Sequence, residues 1–536
     1  MAQLLYHSSV IRIGLLCLIW PYLAQATINV PVTDPIYSTI DKLIASDLVV
    51  DFIYGQRPWN RHQIARMIQE AEEKRKLTAP PPPFIDEILE QAKSDYRSDL
   101  EAVGKNQDRQ ARPIDRIEVS LSSINAQSRS LSFNSMGDVD ASINPLVAYL
   151  DGKTYPNGTS LHLSTFHSAN LASGLSFFAQ PEGRLALKQG GASEAGATFR
   201  RLYASYPLGE NLEIELGRDA VNWGQTENGG LVLSNNARPL DLLKISSPYT
   251  WRLPWFLKYM GPMRATFFLA NFGPDWSFPY AFLTGYHLSF RTHPNLEWGF
   301  SQATSVGGRG SPSAKWYDLL AEGLIFLQRK GTNLSDHHLS FNGRLRLSAL
   351  GNAEWYGETF WDDAGFESIK ADLTYRLGFL TGLYFPTLAE GGKWDLRLEF
   401  TKLPITMYRN ATFRSGYTLE SRLLGNAWGS DSLSGRIVVG HHFSAKDSLI
   451  SSCEYASNGG DVYDKTMDES EAFKVTHLPT ESRWVFSSQF TKEIGQDLLL
   501  SLSAGVERVG NFNFQENENR WHYRTGLALS YSGFGE

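Results

Sequence analysis

From Asp34 to about Val103, apolar side chains recur at spacings of three and four: Ile36, Ile40, Leu43 and Ile44, then Ile64, Met67, Ile68 and Ala71. Ile85, Ile88, Leu89, Ala92 and Tyr96 repeat the pattern, so three amphipathic helices are predicted. Asn60 suits the N-cap of the second helix, and the run Pro80 to Pro83 stops that helix and introduces the third. Helices this short need one another, or the mouth of a larger structure, to bury their apolar faces.

Beyond Pro113 the period changes to two. Leu339, Phe341, Leu345 and Leu347 alternate with His338, Ser340, Asn342, Arg344 and Arg346, and Trp394, Leu396, Leu398 and Phe400 alternate with Lys393, Asp395, Arg397 and Glu399. Each segment has one apolar and one strongly polar face. A soluble sandwich seldom sustains this from about residue 115 to the C-terminus, whereas lipid outside and water inside a closed sheet explain both faces. The prediction is a mainly β chain: a transmembrane antiparallel β-barrel of about 18 strands behind a small N-terminal α-helical bundle. Strands are expected from 117–124 to 520–531, with 172–179 and 368–385 among them. Short turns such as Ser444 to Asp447 and Ile494 to Gln496 alternate with long connections, which puts both termini in the periplasm. The exception is Ser247 to Pro262, a long connection that falls on the periplasmic side. The last strand, Arg524-x-Gly526-x-x-Leu529-x-Tyr531, resembles the signal read by the barrel-assembly machinery, although Ser532 to Glu536 follow the aromatic residue.

Composition fits this reading. Aromatic residues make up 12% of the chain, mean hydropathy is −0.28, and no apolar run is long enough for a membrane-spanning helix. Residues 1–26 read as a signal peptide: Arg12, an apolar run from Ile13 to Leu23, and Ala24-Gln25-Ala26 as the cleavage site. Cys17 is followed by Leu18 and does not resemble a lipoprotein acceptor; its removal leaves Cys453 without a disulfide partner. The expected organisation is a signal at 1–26, a periplasmic helical domain at 27–112 and an outer-membrane barrel at 113–536. A net charge of −7, with Arg12 still counted, argues against nucleic acid as a partner.

Two long outer connections are unusual in content. Gly217 to Asp241 mixes glycines and amides around one indole, and Tyr408 to Asp431 combines Arg409, Asn410, Phe413, Arg414 and Tyr417 with Gly416, Gly425 and Gly429. Glycines there let the backbone fold back into the barrel mouth, and amides satisfy buried polar groups, so an inward structural plug is one reading. At these residues, and at Asp34-Pro35-Ile36-Tyr37 and Gly55-Gln56-Arg57-Pro58-Trp59-Asn60-Arg61, the chain resembles the Wzi-like capsule-assembly family. Phe413 stands where that resemblance leads one to expect a tyrosine.

The resemblance implies an 18-stranded outer-membrane barrel with a periplasmic helical bundle, acting as a surface lectin that retains capsular or extracellular polysaccharide. The mechanism would be binding, with no cofactor and no bond made or broken. Trp223, Tyr408 and Tyr417 would supply ring faces for sugars, and Asn222, Asn235, Asn236, Arg238, Asn410 and Arg414 would bond hydroxyls or uronate carboxylates. Outer-membrane lipid is the other implied partner.

Three other chemistries are weighed. A porin would use the charged inner positions Arg344, Arg346, Arg397 and Glu399. A hydrolase could use a His-Leu-Ser triplet, at His162 to Ser164, His287 to Ser289 or His338 to Ser340, but the alternation turns each His/Ser pair toward the lumen, away from lipid. Metal binding is not expected: His337-His338 and His441-His442 are adjacent and point to opposite faces, and Asp461, Asp464, Asp468, Glu469 and Glu471 read as a solvated loop that could hold calcium.

Overall fold

The computed structural model describes residues 27–533, apart from 78–80, 104–109, 127, 132–138, 145, 172–173, 210, 313–314, 316, 318–334, 363–375, 390, 460–461, 464–474, 477 and 496. The signal at 1–26 and the acidic segment around Asp464 and Asp468 lie outside the described residues.

The predicted helices form at Ile36–Ala45 (α1), Arg61–Arg75 (α2) and Pro83–Asp95 (α3), and a short fourth, Arg97–Ala102 (α4), follows. Asn60 caps α2 as expected. Its Oδ1 accepts from the Gln63 backbone N–H at 2.8 Å, and the Gln63 side chain accepts from the Asn60 N–H at 2.8 Å. Pro83 occupies the first turn of α3, where its missing N–H has no intrahelical partner to lose. Trp59 stacks on Tyr37 with ring centroids 4.9 Å apart, at the centre of an apolar cluster that gathers Ile40, Leu43, Ile64, Ile68, Phe84 and Ile88.

Eighteen long strands close into one antiparallel barrel. They are Gln110–Ile124 (β1), Gly158–Asn170 (β2), Ser176–Lys188 (β3), Glu194–Pro207 (β4), Glu213–Asp219 (β5), Leu240–Ser246 (β6), Pro262–Asn271 (β7), Phe282–His293 (β8) and Leu296–Val306 (β9). Ser335–Leu347 (β10), Ala353–Asp362 (β11), Leu377–Phe385 (β12), Trp394–Leu403 (β13), Ser432–His442 (β14), Ser448–Asn458 (β15), Glu481–Ile494 (β16), Leu498–Gly510 (β17) and Arg520–Tyr531 (β18) complete it. Closure is made by β1, which pairs with β2 on one side (Leu121 opposite Leu161) and β18 on the other (Leu121 opposite Leu527). Leu121, Leu163, Leu216, Leu502 and Leu527 face outward and are exposed, as an outer wall in lipid requires.

Strand order follows the sequence expectation throughout, and the largest differences are at prolines. The strand expected at 172–179 runs instead from Ser176 to Lys188, with Pro181 at a register shift against β4, where its missing N–H is tolerated. Likewise β1 starts at Gln110, and its pairing with β2 shifts between Arg112 and Arg116, across Pro113. The strand expected at 368–385 is seen from Leu377; 363–375 lie outside the described residues.

Short turns gather at one end of the barrel and long connections at the other. The helical bundle sits against the short-turn end: Lys42 donates to the Pro386 carbonyl at 3.0 Å, Arg346 to the Ile44 carbonyl at 3.2 Å, and the Ala445 N–H to Glu87 at 2.8 Å. The long Ser247 to Pro262 connection is at this same end, where Pro248 accepts from Gln63 and the Tyr249 ring carries Arg66, whose guanidinium is 4.0 Å from the centroid.

Candidate functional site: a barrel filled from both ends

Between Ile53 and Asn60 the chain leaves the helical bundle and enters the barrel. There Gln56 and Arg57 pair with Trp223 and Asn222 of the first unusual connection, which descends from the opposite end. Glu297 on β9 holds both partners: its carboxylate accepts from the Tyr54 and Gly55 backbone N–H groups, each at 2.8 Å, and from Gln225 Nε2 at 3.0 Å. Arg57 donates to the Thr226 and Glu227 carbonyls, and Arg344 lies over the Tyr54 ring, 3.6 Å from its centroid, while donating to the Gln225 carbonyl. Gly224, at φ +112°, passes so close to Gly230 that a Cβ would meet its Cα at 2.6 Å, so glycine is required where the strand turns back.

The charged inner positions are occupied by these insertions. Arg397 faces Asp41 of α1 and Glu227 of the inward loop, both at 3.4 Å. Asp395 accepts from Lys42 of α1 at 2.7 Å and His442 at 2.8 Å. Arg346 pairs with Asp47 at 2.9 Å, and Arg344 with Glu354. Burial pushes the Asp41 carboxyl up, against the pull of Arg397, and pulls the Lys42 ammonium down, against Asp395.

Toward the long-loop end the filling becomes apolar. Leu231, Val232 and Leu233 pack with Trp223, Phe268, Tyr356, Phe360, Tyr408, Phe413, Tyr417 and Trp428 in one buried cluster. Glu358 accepts from the Leu231 N–H at 3.0 Å, and Tyr408 Oη donates to the Leu231 carbonyl at 2.7 Å while accepting from Asn426 N–H at 3.0 Å. Buried polar groups of a loop inside a barrel must find partners, and these are supplied by the wall and the second inward loop.

The nine sequence-selected residues therefore divide. Asn222, Trp223, Asn235, Asn236, Tyr408 and Tyr417 are buried in the plug. Trp223 and Tyr417 each keep 1% exposure or less, with Trp223 packed on Phe268 and Tyr417 edge-on to His338, so neither ring offers a free face. Asn235 and Asn236 donate to the Tyr149 and Leu423 carbonyls, each at 2.9 Å. Asn410 is half-buried and accepts from the Thr412 and Phe413 N–H groups; Arg414 is exposed; Arg238 binds Glu420 and Asp241 at the surface. Phe413 lies against Trp276 and Phe278, an apolar setting that asks nothing of a hydroxyl.

Sequence reasoning missed Tyr280 and Arg309. Both are exposed at the long-loop end, with the Arg309 guanidinium 4.5 Å from the Tyr280 ring centroid. They adjoin the second loop, because Ser277 N–H donates to Ser415 at 2.8 Å and Arg309 N–H to the Pro279 carbonyl at 2.8 Å. Tyr280 sits in no periodic or glycine-rich stretch, and Arg309 lies among Gly307, Gly308 and Gly310, a short run that reads as a turn and does not by itself mark a site.

The three His-Leu-Ser triplets turn His162, Ser164, His287, Ser289, His338 and Ser340 inward, all buried, while Leu163 faces out. His337 and His338 do diverge, with His337 bonding Gln302, Thr304 and Ser335. A different grouping lies beside them. His338 lies between Asp336 and Asp362, 3.6 Å and 3.3 Å away, and the three offer donor atoms within 4.8 Å of one another. His338 bridges carboxylates of neighbouring strands beneath the Tyr417 ring.

A closed antiparallel barrel with an apolar outer wall and a filled interior is an occluded outer-membrane β-barrel. The family model described as capsule assembly protein Wzi matches residues 132–522, and the chain belongs to that family. Among solved structures, Wzi of Escherichia coli, an outer-membrane protein described as a carbohydrate-binding β-barrel involved in group 1 capsule assembly, superposes with a TM-score of 0.63 at 16% identity, over 94% of this chain and 99% of that one. OpdQ of Pseudomonas aeruginosa (TM-score 0.41, 10% identity, 79% of this chain and 97% of that one) and a BenF-like porin of Pseudomonas fluorescens (0.43, 11%, 79% and 98%) are matched more weakly. No curated protein matches the chain.

Proposed function

We propose that this protein anchors capsular or extracellular polysaccharide at the cell surface, binding it on the exposed long-loop end of the barrel. The observation that carries the reading is the ladder of Gln56 and Arg57 with Trp223 and Asn222, which fills the lumen from both directions and leaves the loop surface as the accessible face. The long-loop end faces outward and the helical bundle lies in the periplasm, consistent with an export signal at 1–26 and a final strand that resembles the assembly signal. Tyr280 with Arg309 provides a ring face beside a cation, suited to a sugar ring carrying a carboxylate. Arg414, Asn410 and Arg238 extend this surface with hydrogen-bond donors, while the buried Asn222, Trp223, Asn235, Asn236, Tyr408 and Tyr417 hold its floor in shape. Binding needs no bond to be made or broken.

The test is retention of the source organism's own surface polysaccharide by the purified full chain. Wild type retains polymer, and an Arg309→Ala, Arg414→Ala double variant with unchanged barrel migration loses most of it. Absence of retention by the wild type overturns the reading. In cells, a deletion strain sheds polymer into the medium while still making it; a deletion strain that makes none points to synthesis instead.

A further inference from the structure

Strands β6 and β7 are joined by Ser247 to Gly261, whereas neighbouring strands at the same end turn within a few residues, as at Phe443 to Asp447. The first part of this excursion is held by the bundle and by the adjacent barrel turn: Pro248 accepts from Gln63, Arg66 lies over the Tyr249 ring and Thr250 donates to Asp51 at 2.7 Å, while Tyr249 N–H donates to Asn211 of the turn at 2.8 Å. The rest turns away. Trp251 and Arg252 extend the ladder opposite Met263 and Pro262, and a short 3-10 helix, Trp255–Met260, lies beside β8. Gly261, at φ +82°, sits directly against the Arg291 carbonyl, where any side chain would collide, so the turn is fixed to the wall.

This rigid turn displays large apolar rings. Trp255 is 81% exposed, Tyr259 77% and Phe256 72%, more than any other aromatic residue among those described. Trp251 is also exposed, and Arg252 and Lys258 stand among them. A patch of this kind left in water is costly, and a turn fixed in place cannot fold over to hide it. Its surroundings identify what covers it. Around the same rim, Trp355, Trp394, Phe443 and Tyr531 face outward at the ends of their strands, forming the aromatic band that marks a bilayer–water boundary. The turn continues this band from the mouth of the barrel.

We propose that Trp251–Met260 is a membrane-interface anchor, seated in the phospholipid headgroup layer at the helical end of the barrel. Trp255, Phe256 and Tyr259 enter the boundary between headgroups and acyl chains, and Lys258 and Arg252 reach lipid phosphates. Because Tyr249, under the Arg66 guanidinium, and Thr250, bonded to Asp51, grip the bundle at the base of the same excursion, the anchor ties the bundle's position to the membrane plane. The inference uses the barrel and its aromatic rim and is independent of polysaccharide binding.

The experiment places a nitroxide at residue 256 (Phe256→Cys in a Cys453→Ser background) in the full chain, reconstituted into phosphatidylethanolamine–phosphatidylglycerol vesicles. Collision with oxygen and with a water-soluble nickel chelate is compared with two references, Trp394→Cys on the outer wall and Leu77→Cys on the exposed surface of the bundle. The expected oxygen-to-nickel ratio at 256 is several-fold above that at 77 and close to that at 394. A ratio equal to that at 77 overturns the proposal, and protection from both reagents does too, since it means a protein covers the turn. A Trp255→Ser, Tyr259→Ser variant gives the second readout, a several-fold faster proteolytic release of the bundle with the barrel still folded; an unchanged rate counts against an anchoring role.

Discussion

Gln56 and Trp223 stand opposite each other in a two-stranded ladder inside the barrel, one arriving from the helical bundle and the other from the far rim. Neither segment has a sheet of its own, so each supplies the backbone partners that the other would otherwise lack in a closed interior. Four expectations follow from this arrangement and from the groups around it.

Glu297 is the shared acceptor for the arm and the loop, so Glu297→Ala leaves the Tyr54 and Gly55 N–H groups and Gln225 without their partner. Each buried group left unsatisfied costs about 1–3 kcal/mol. The variant should lower the temperature at which the folded barrel loses its compact migration on gels and should admit protease at residues 53–58. Wild type should show no steady large single-channel current in planar bilayers; such currents would mean that the interior conducts.

Trp223→Ala should cost about 3–5 kcal/mol, the usual range for emptying a fully buried indole site. Denaturant titration in detergent measures this directly. Polysaccharide retention should fall together with stability, because Trp223 holds the floor of the loop surface, whereas Arg309→Ala should lose retention at unchanged stability.

Lys42 is almost fully buried and its ammonium meets Asp395 at 2.7 Å. Lys42→Met leaves the part-buried Asp395 carboxylate with His442 as its remaining ion-pair partner among the described residues, a loss approaching the roughly 3–5 kcal/mol of a broken buried pair. The readout is release of the bundle from the barrel, followed by limited proteolysis between residues 97 and 110. Equal protection of variant and wild type would mean that the pair does not secure the bundle.

His62 packs edge-on to Tyr249 where bundle and barrel meet, and burial, reinforced by Arg66, pushes it down to about 4. In the unfolded chain histidine takes its proton near pH 6.5, so between about 6.5 and 4 the unfolded state binds more protons than the folded one. Stability from this residue is therefore complete above about pH 6.5 and is lost as the pH falls toward 4. Thermal melts should fall over that window, and His62→Gln should flatten the slope.

The barrel was legible because alternation is a local property: each residue's side records whether it meets lipid or interior, as Leu339 and Arg344 do on one strand. The helices were legible for the same reason, down to Asn60 as the cap of α2. The surface pair of Tyr280 and Arg309 was not: the hairpin between them brings both to one rim, but nothing local shows that their side chains stay exposed and stack. For the nine selected residues, type was informative and exposure was not. A tryptophan or an asparagine suits a sugar site and a buried plug equally, and the choice depends on what lies above it.

Sequence alone thus determined the period of each segment, hence the helices, the strands, the closed sheet with its lipid-facing wall, and the inward-folding character of the glycine-rich loops. Tertiary structure decided how the barrel is filled. Whether Arg397 lines a pore or neutralises Asp41 depends on a helix more than 350 residues away in the chain, and the ladder of Gln56 and Trp223 joins segments just as independent. Such contacts leave no periodic trace, because burying a charge or pairing an extended segment is settled by the partner that arrives and not by the residues beside it.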